Sequence, residues 1–167
     1  MIQVYTGEGK GKTTASLGLA IRAVGAGLKV YIAQFCKKRQ YSELKVLRKI
    51  KGIKVEQFGR RCFIRGRPSE EDKRLAKKGL EKVKKIIQEK KYDVVIMDEI
   101  NICFYFKLLK VKELIEIIKS LPKNIEIILT GRYAPKEIIK IADLVSEIKE
   151  IKHYFKKGII ARKGIEF

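Results

Sequence analysis

A short apolar run, Ile2 to Tyr5, leads into Thr6-Gly7-Glu8-Gly9-Lys10-Gly11-Lys12-Thr13, and a stretch of small and apolar residues from Thr14 to Ala26 follows with the composition of a helix. Strand, glycine-rich loop and helix in that order commit the chain to an α/β unit whose helix N-terminus faces the loop. Glycines at 7, 9 and 11 let the backbone curl so that N–H groups point inward. Lys12 adds a cation, and the Thr13 hydroxyl reaches a magnesium ion carried by phosphate. The loop therefore reads as a triphosphate cradle formed by Gly7, Glu8, Gly9, Lys10, Gly11, Lys12, Thr13 and Thr14. It departs once from the G-x-x-x-x-G-K-[ST] pattern, where Thr6 stands in place of the first glycine.

Beyond this unit, strand-like and helix-like segments keep alternating with no linker or repeat, the pattern of a parallel α/β sheet. Strands are predicted at Leu28 to Phe35, Ile53 to Phe58, Asp93 to Met97, Ile125 to Leu129 and Leu144 to Ile148. Helices are predicted at Ser42 to Ile50, from a Ser69 cap to about Lys90, at Lys110 to Ser120, and onward from Pro135. A chain of 167 residues is long enough for one domain with a sizeable core, so residues 1–167 are expected to form a single unit. No apolar run approaches the roughly 20 residues of a membrane span. Met1 leads straight into the first strand with no signal peptide, which predicts a cytoplasmic protein. Cys36, Cys62 and Cys103 are widely separated, and read as ordinary thiols in or near the core rather than a disulfide framework or metal pair.

Val94-Val95-Ile96-Met97-Asp98-Glu99 brings two carboxylates to the end of a strand buried on both faces. In open α/β sheets that carboxyl edge is where ligands bind. Asp98 or Glu99 would hold magnesium together with Thr13, directly or through water, since a hard cation on a triphosphate takes oxygen ligands and keeps several waters. Leu129-Thr130-Gly131-Arg132 is a second strand that ends in polar residues, and Arg132 is placed to clamp a phosphate or a substrate carboxyl with its planar fork. His153, the sole histidine, reads as structural or as a support behind the site. Tyr31, Phe35, Phe104, Tyr105 and Phe106 read as core, with an exposed aromatic beside the site able to cover a planar substrate.

The formal charge is +20, and it is concentrated between Lys37 and Arg67, where only Glu43 and Glu56 oppose the basic residues. Such a segment serves an anionic ligand or partner, or is a solvated surface. Cradle, carboxylates and parallel sheet admit a kinase, an ATPase coupled to nucleic acid, or an enzyme that uses a nucleoside triphosphate as group donor.

Across nearly its whole length the chain resembles the ATP-dependent corrinoid adenosyltransferases built on a phosphate-binding loop. The resemblance lies in Tyr5 to Thr14, in Leu19-Ala20-Ile21-Arg22-Ala23-Val24-Gly25, and in Gln34-Phe35 with Lys37. It continues in Asp93 to Glu99, Leu129 to Arg132 with Ala134-Pro135, Ala142 to Val145, Lys152-His153, and the closing Gly164-Ile165-Glu166. It implies a RecA-like sheet of six mostly parallel strands in the order 3-2-4-5-1-6. It also implies a reaction in which cobalt(I) of a corrinoid attacks the 5′ carbon of ATP and displaces triphosphate, with Lys10 and Lys12 as the catalytic cations. The nucleotide would lie reversed, its γ-phosphate where other such loops hold the α. A homodimer and an electron donor such as a reduced flavoprotein follow from the same resemblance. The alternatives are a small nucleoside or metabolite kinase, disfavoured because no arginine-rich lid is identifiable, and an ATP-regulated nucleic-acid-binding module using Lys37 to Arg67, whose support is charge alone. Family members carry a Phe-x-Trp stretch whose rings displace the lower axial ligand of cobalt. This chain has no tryptophan, and the corresponding stretch, Phe58 to Ile64, offers Phe58 or Phe63 as the corrinoid-contacting aromatic. Many relatives also have an N-terminal extension over the partner's site that has no counterpart here.

Overall fold

Strands and helices alternate strictly up to the fourth strand of the computed structural model, which describes residues 1–38, 41–60, 66–122 and 124–167. The strands are β1 (Ile2–Thr6), β2 (Val30–Phe35), β3 (Ile53–Phe58), β4 (Val94–Asp98), β5 (Glu126–Thr130) and β6 (Leu144–Glu147). The helices are α1 (Lys12–Gly25), α2 (Ser42–Leu47), α3 (Glu70–Glu89), α4 (Ile100–Tyr105), α5 (Val111–Lys119) and α6 (Lys136–Ile141), and a 3₁₀ turn spans Tyr154–Lys157. All six strands pair in parallel, in the order β3-β2-β4-β5-β1-β6. Parallel neighbours need crossovers long enough to hold a helix, and the helices supply them. The predicted order holds, with β5 between the loop-bearing β1 and β4.

Burial follows position in the sheet. Every residue of β2 and β4 is buried, as their largely apolar sequences lead one to expect, with Gln34 and Asp98 the polar exceptions, and every residue of edge strand β6 is exposed. One face packs against α3, α4, α5 and α6 through residues such as Leu80, Val83, Phe104, Leu114 and Ile138. The other packs against α1 and α2 through Ala20, Ala23 and Leu47. Helix α3 buries Ala76, Gly79, Leu80, Val83, Ile86 and Ile87, one stripe at helical spacing. Its start is fixed as the sequence suggests: the Ser69 hydroxyl accepts from Asp72 N at 3.2 Å, and the Asp72 carboxylate accepts from Ser69 N at 2.9 Å.

Phe58 belongs to this packing. It is the last residue of β3, it is buried, and its ring lies 5.9 Å from that of Phe35. A Cβ added at Gly79 would come within 2.8 Å of the Phe58 ring, so glycine is what lets α3 approach the aromatic pair. Removing Phe58 from this contact would cost about 3–5 kcal/mol, which ties it to the core. Phe63, the other candidate aromatic, lies outside the described residues, as does Cys62. One aromatic expected in the core is elsewhere: Tyr105 is exposed and stacked on Tyr133 at 4.3 Å, while Phe106 is half-buried, packed against the core at the edge of a cavity.

Candidate active site

The loop after β1 owes its shape to the strand beside it. Gly9 N donates to Ile148 O at 2.7 Å, and Ile148 N donates to Thr6 O at 2.8 Å, so the chain following β6 forms one wall of the loop. A Cβ at Gly9 would lie 2.7 Å from Lys149 O, a clash that only glycine avoids. Gly11 has φ +119°, and this left-handed residue turns the chain into α1. Lys12, the first residue of α1, is buried and folds back over the loop, donating to Gly7 O at 2.7 Å and Gly9 O at 2.6 Å. Burial lowers the pKa of its ammonium.

At the end of β4, parallel register places Gln34 beside Asp98. Asp98 is fully buried, and four donors surround its carboxylate. Oδ1 accepts from the Thr13 and Thr130 hydroxyls at 2.8 and 2.7 Å, and Oδ2 accepts from Lys37 Nζ at 2.8 Å and Gln34 Nε2 at 3.4 Å. Burial alone would raise the pKa of this carboxyl, but the charge of Lys37 and the hydroxyl donors outweigh it and hold it below the usual range. Lys37 is likewise held charged: burial pulls its pKa down, and the Asp98 and Glu99 charges more than reverse that. Its ammonium also donates to Thr13 Oγ1 at 3.2 Å.

Glu99 behaves differently. It adopts φ +61°, its backbone N donates to Thr130 Oγ1 at 3.0 Å, and its side chain lines the cavity. Burial raises its pKa, with the neighbouring Asp98 charge adding to the effect and Lys37 and Lys12 offsetting part of it. Across the mouth, Arg132 donates to Glu8 O at 3.2 Å and pairs with Glu8 Oε2 at 3.4 Å. Asn101 secures the turn beneath it by donating to Gly131 O at 3.1 Å.

These groups surround a cavity of about 1030 Å³, at the large end of the range for small-molecule sites. Loop residues Gly9 to Thr14 line it, together with Glu99, Arg132, Lys37, α1 residues Leu17 and Ile21, and His153 with Gly164 to Phe167. The structure thus brings Lys10, Lys12, Thr13, Thr14, Glu99 and Arg132 to one space. Asp98 sits behind Thr13, in contact with its hydroxyl. Thr13, Glu99 and Asp98 form an all-oxygen donor set, which suits magnesium, a cation that keeps most of its waters.

Three participants escaped the sequence reading of the site. Lys37 was visible as one of many basic residues and, with Gln34, as part of the resemblance, but no role was assigned to it, although a cation two residues beyond an apolar strand is a position at the sheet's ligand edge. Gln34 is a fully buried amide in an apolar run, which signals a polar partner across the sheet. The segment after β6 gave only the aligned His153 and Gly-Ile-Glu, with no period to indicate where it packs.

Comparison with known proteins agrees with this geometry. The sequence profile described as "ATP:corrinoid adenosyltransferase BtuR/CobO/CobP" matches residues 1–167. A corrinoid adenosyltransferase of Sinorhizobium sp is 36% identical over 171 residues, which span 100% of this chain and 80% of the relative. One from Escherichia coli K12 is 31% identical over 167 residues, covering 100% of this chain and 85% of the relative. The corrinoid adenosyltransferase CobA of Salmonella typhimurium LT2 has the same identity and the same coverage. With a profile match over residues 1–167 and relatives 31–36% identical across the whole of this chain, the chain belongs to the ATP:corrinoid adenosyltransferase family.

Proposed function

We propose that the cavity holds ATP with its triphosphate in the Gly7–Thr14 loop, and that the chain transfers the 5′-deoxyadenosyl group to cobalt(I) of a corrinoid. The observation that carries this reading is that Lys10, Lys12, Thr13, Glu99 and Arg132 all face one cavity large enough for a nucleotide beside part of a second substrate. In the reaction the cobalt(I) electron pair attacks C5′ and the C5′–O bond breaks. Its electrons leave with the triphosphate, and cobalt becomes formally cobalt(III). The nucleophile carries no proton, so the demand on the protein is alignment and neutralisation of the growing negative charge. Loop N–H groups and the ammoniums of Lys10 and Lys12 meet that demand, and Arg132 guards the mouth.

Lys12 rests on the carbonyls of Gly7 and Gly9, from which an arriving phosphate draws it. Glu99 and Thr13 would hold magnesium, with Asp98 acting through the Thr13 hydroxyl that it orients. Magnesium, when bound, supplies charge neutralisation to the leaving triphosphate. The reading extends to a homodimeric cytoplasmic enzyme supplied with electrons by a reduced flavoprotein, with Phe58 or Phe63 as the aromatic that contacts the corrinoid. Among the described residues no helix is long and apolar enough to cross a membrane. The kinase and nucleic-acid readings gain nothing from the family match. Arg60, from the basic segment, donates to the Ser69 hydroxyl at 3.1 Å, where α3 begins.

The test is to incubate the protein with MgATP and chemically reduced corrinoid. A light-sensitive cobalt–carbon product together with stoichiometric triphosphate is expected. Formation of ADP, or no alkylated corrinoid, would overturn the assignment.

A further inference from the structure

The segment that follows β6 crosses the cavity mouth with almost no hydrophobic anchorage. None of residues 149–167 is buried, and Ile151, Phe155 and Ile160 are among its exposed apolar side chains. Among the described residues, its polar anchors gather chiefly on one carboxylate. Glu166 Oε1 accepts from Lys10 Nζ of the phosphate loop at 2.7 Å and from the Tyr154 hydroxyl, while Oε2 accepts from Arg162 N at 2.6 Å. Lys10 Nζ also donates to Tyr154 Oη at 2.9 Å. An ammonium has three protons, so these two bonds fix the Lys10 head and leave one proton for a ligand. The next residue closes the span: Ser42 Oγ, at the start of α2, donates to Phe167 O at 3.0 Å. The strap therefore runs from the loop to α2, and Gly164 to Phe167 line the cavity between them.

Resting on the proposed use of the cavity for ATP, we infer that Glu166 is a positioning residue. It presets Lys10 against the leaving triphosphate and latches residues 164–167 as a lid over the bound nucleotide. Charge-assisted bonds from Lys10, Tyr154 and Arg162 keep the Glu166 carboxyl ionised well below the usual carboxylate range, so the latch is engaged at neutral pH. A lid held by polar contacts opens without exposing a core, which suits a site that must admit one substrate and release triphosphate.

The test compares wild type with Glu166→Gln, Glu166→Asp and Lys10→Ala, the double variant Glu166→Gln/Lys10→Ala, and Glu150→Gln as a control. Glu150 lies on the same segment but pairs with Lys156 at 2.6 Å and not with Lys10. Two readouts are taken: trypsin cleavage at Lys156, Lys157, Arg162 and Lys163, with and without MgATP, and kcat and KM for ATP with pre-reduced corrinoid. In Glu166→Gln, cleavage should quicken about tenfold and MgATP should protect less. Its kcat should fall about tenfold with KM little changed, the size of one charge-assisted hydrogen bond made in the transition state. Glu166→Asp should recover part of both losses, and Glu150→Gln should match wild type. Adding Glu166→Gln to Lys10→Ala should cost no further kcat, because the two act as one unit. Equal kcat in Glu166→Gln and wild type, or full additivity in the double variant, would overturn the inference. So would a Glu166→Gln enzyme that is faster and binds ATP more tightly, since Glu166 would then compete with the nucleotide. Wild type that forms no adenosylated corrinoid would instead sink the functional reading, and the lid assignment with it.

Discussion

At the carboxyl ends of β2 and β4, Asp98 is fully buried among Thr13, Thr130, Lys37 and Gln34. Across the same cavity, residues 149–167 include no buried position and hang on Glu166. Both regions use a carboxylate to hold a lysine, yet the surroundings give these pairs opposite characters. Lys37 and Asp98 are shielded from water, so each is costly to leave without the other. Lys10 and Glu166 lie nearer solvent, so their separation is cheap and reversible. One half of the site is built once, at folding, and the other can be remade at each turnover.

The contrast can be broken most severely at the rigid half. Lys12→Ala should reduce adenosyl transfer about 10³-fold, the scale for losing one preorganised donor to developing charge, while near-UV circular dichroism stays that of the wild type. Asp98→Ala should destabilise the fold by about 3–5 kcal/mol, because it strands Lys37 in the interior. Urea unfolding would read this as a lower midpoint at unchanged slope. A loss below 1 kcal/mol would place water around Lys37 and erase the distinction between the two lysines.

Glu99→Gln should raise the magnesium concentration for half-maximal activity about tenfold, leaving corrinoid affinity as it was. A parallel loss of both would make Glu99 a structural residue. On the mobile side, Ile151→Ala should change stability by less than about 0.5 kcal/mol, whereas Val83→Ala in α3 should cost about 1–3 kcal/mol, since Ile151 is 97% exposed and Val83 is 0% exposed. The smallest effect concerns pH. The Glu166 pKa is depressed on folding, so its contribution is complete above the ordinary glutamate value and is lost only as pH falls through the lowered one. Hydrogen exchange at Arg162, whose N–H the Glu166 carboxylate accepts, corrected for intrinsic rates, should therefore be level between about pH 5.5 and 7.5.

The sequence made the sheet legible because its signals are local. A glycine-rich loop between strand and helix, β-branched runs and the Ser69 cap each act within a few residues, and together they placed all six strands. Helix α4 was missed because Ile100 to Tyr105 is short, apolar apart from Asn101, and starts from Glu99 at positive φ with no side-chain cap. Among the site residues, Lys12, Thr13 and Glu99 followed from motif chemistry. The Lys37–Asp98 pair joins residues 61 apart, and nothing short of the β2–β4 register brings them together. The close approach of Gly79 to Phe58 was hidden for a related reason: Gly79 lies on a helix whose docking face is chosen by packing, not by the strand's own pattern.

The buried Lys37–Asp98 pair also governs how the site responds to heat. Hydration of charged groups becomes less favourable as temperature rises, so the penalty for keeping this pair out of water shrinks on warming. Hydrophobic stabilisation per unit area levels off over the same range. Warming therefore relieves the most expensive part of the site while the surrounding strands gain little, and the network around Asp98 is held relatively better in a hot protein than in a cold one.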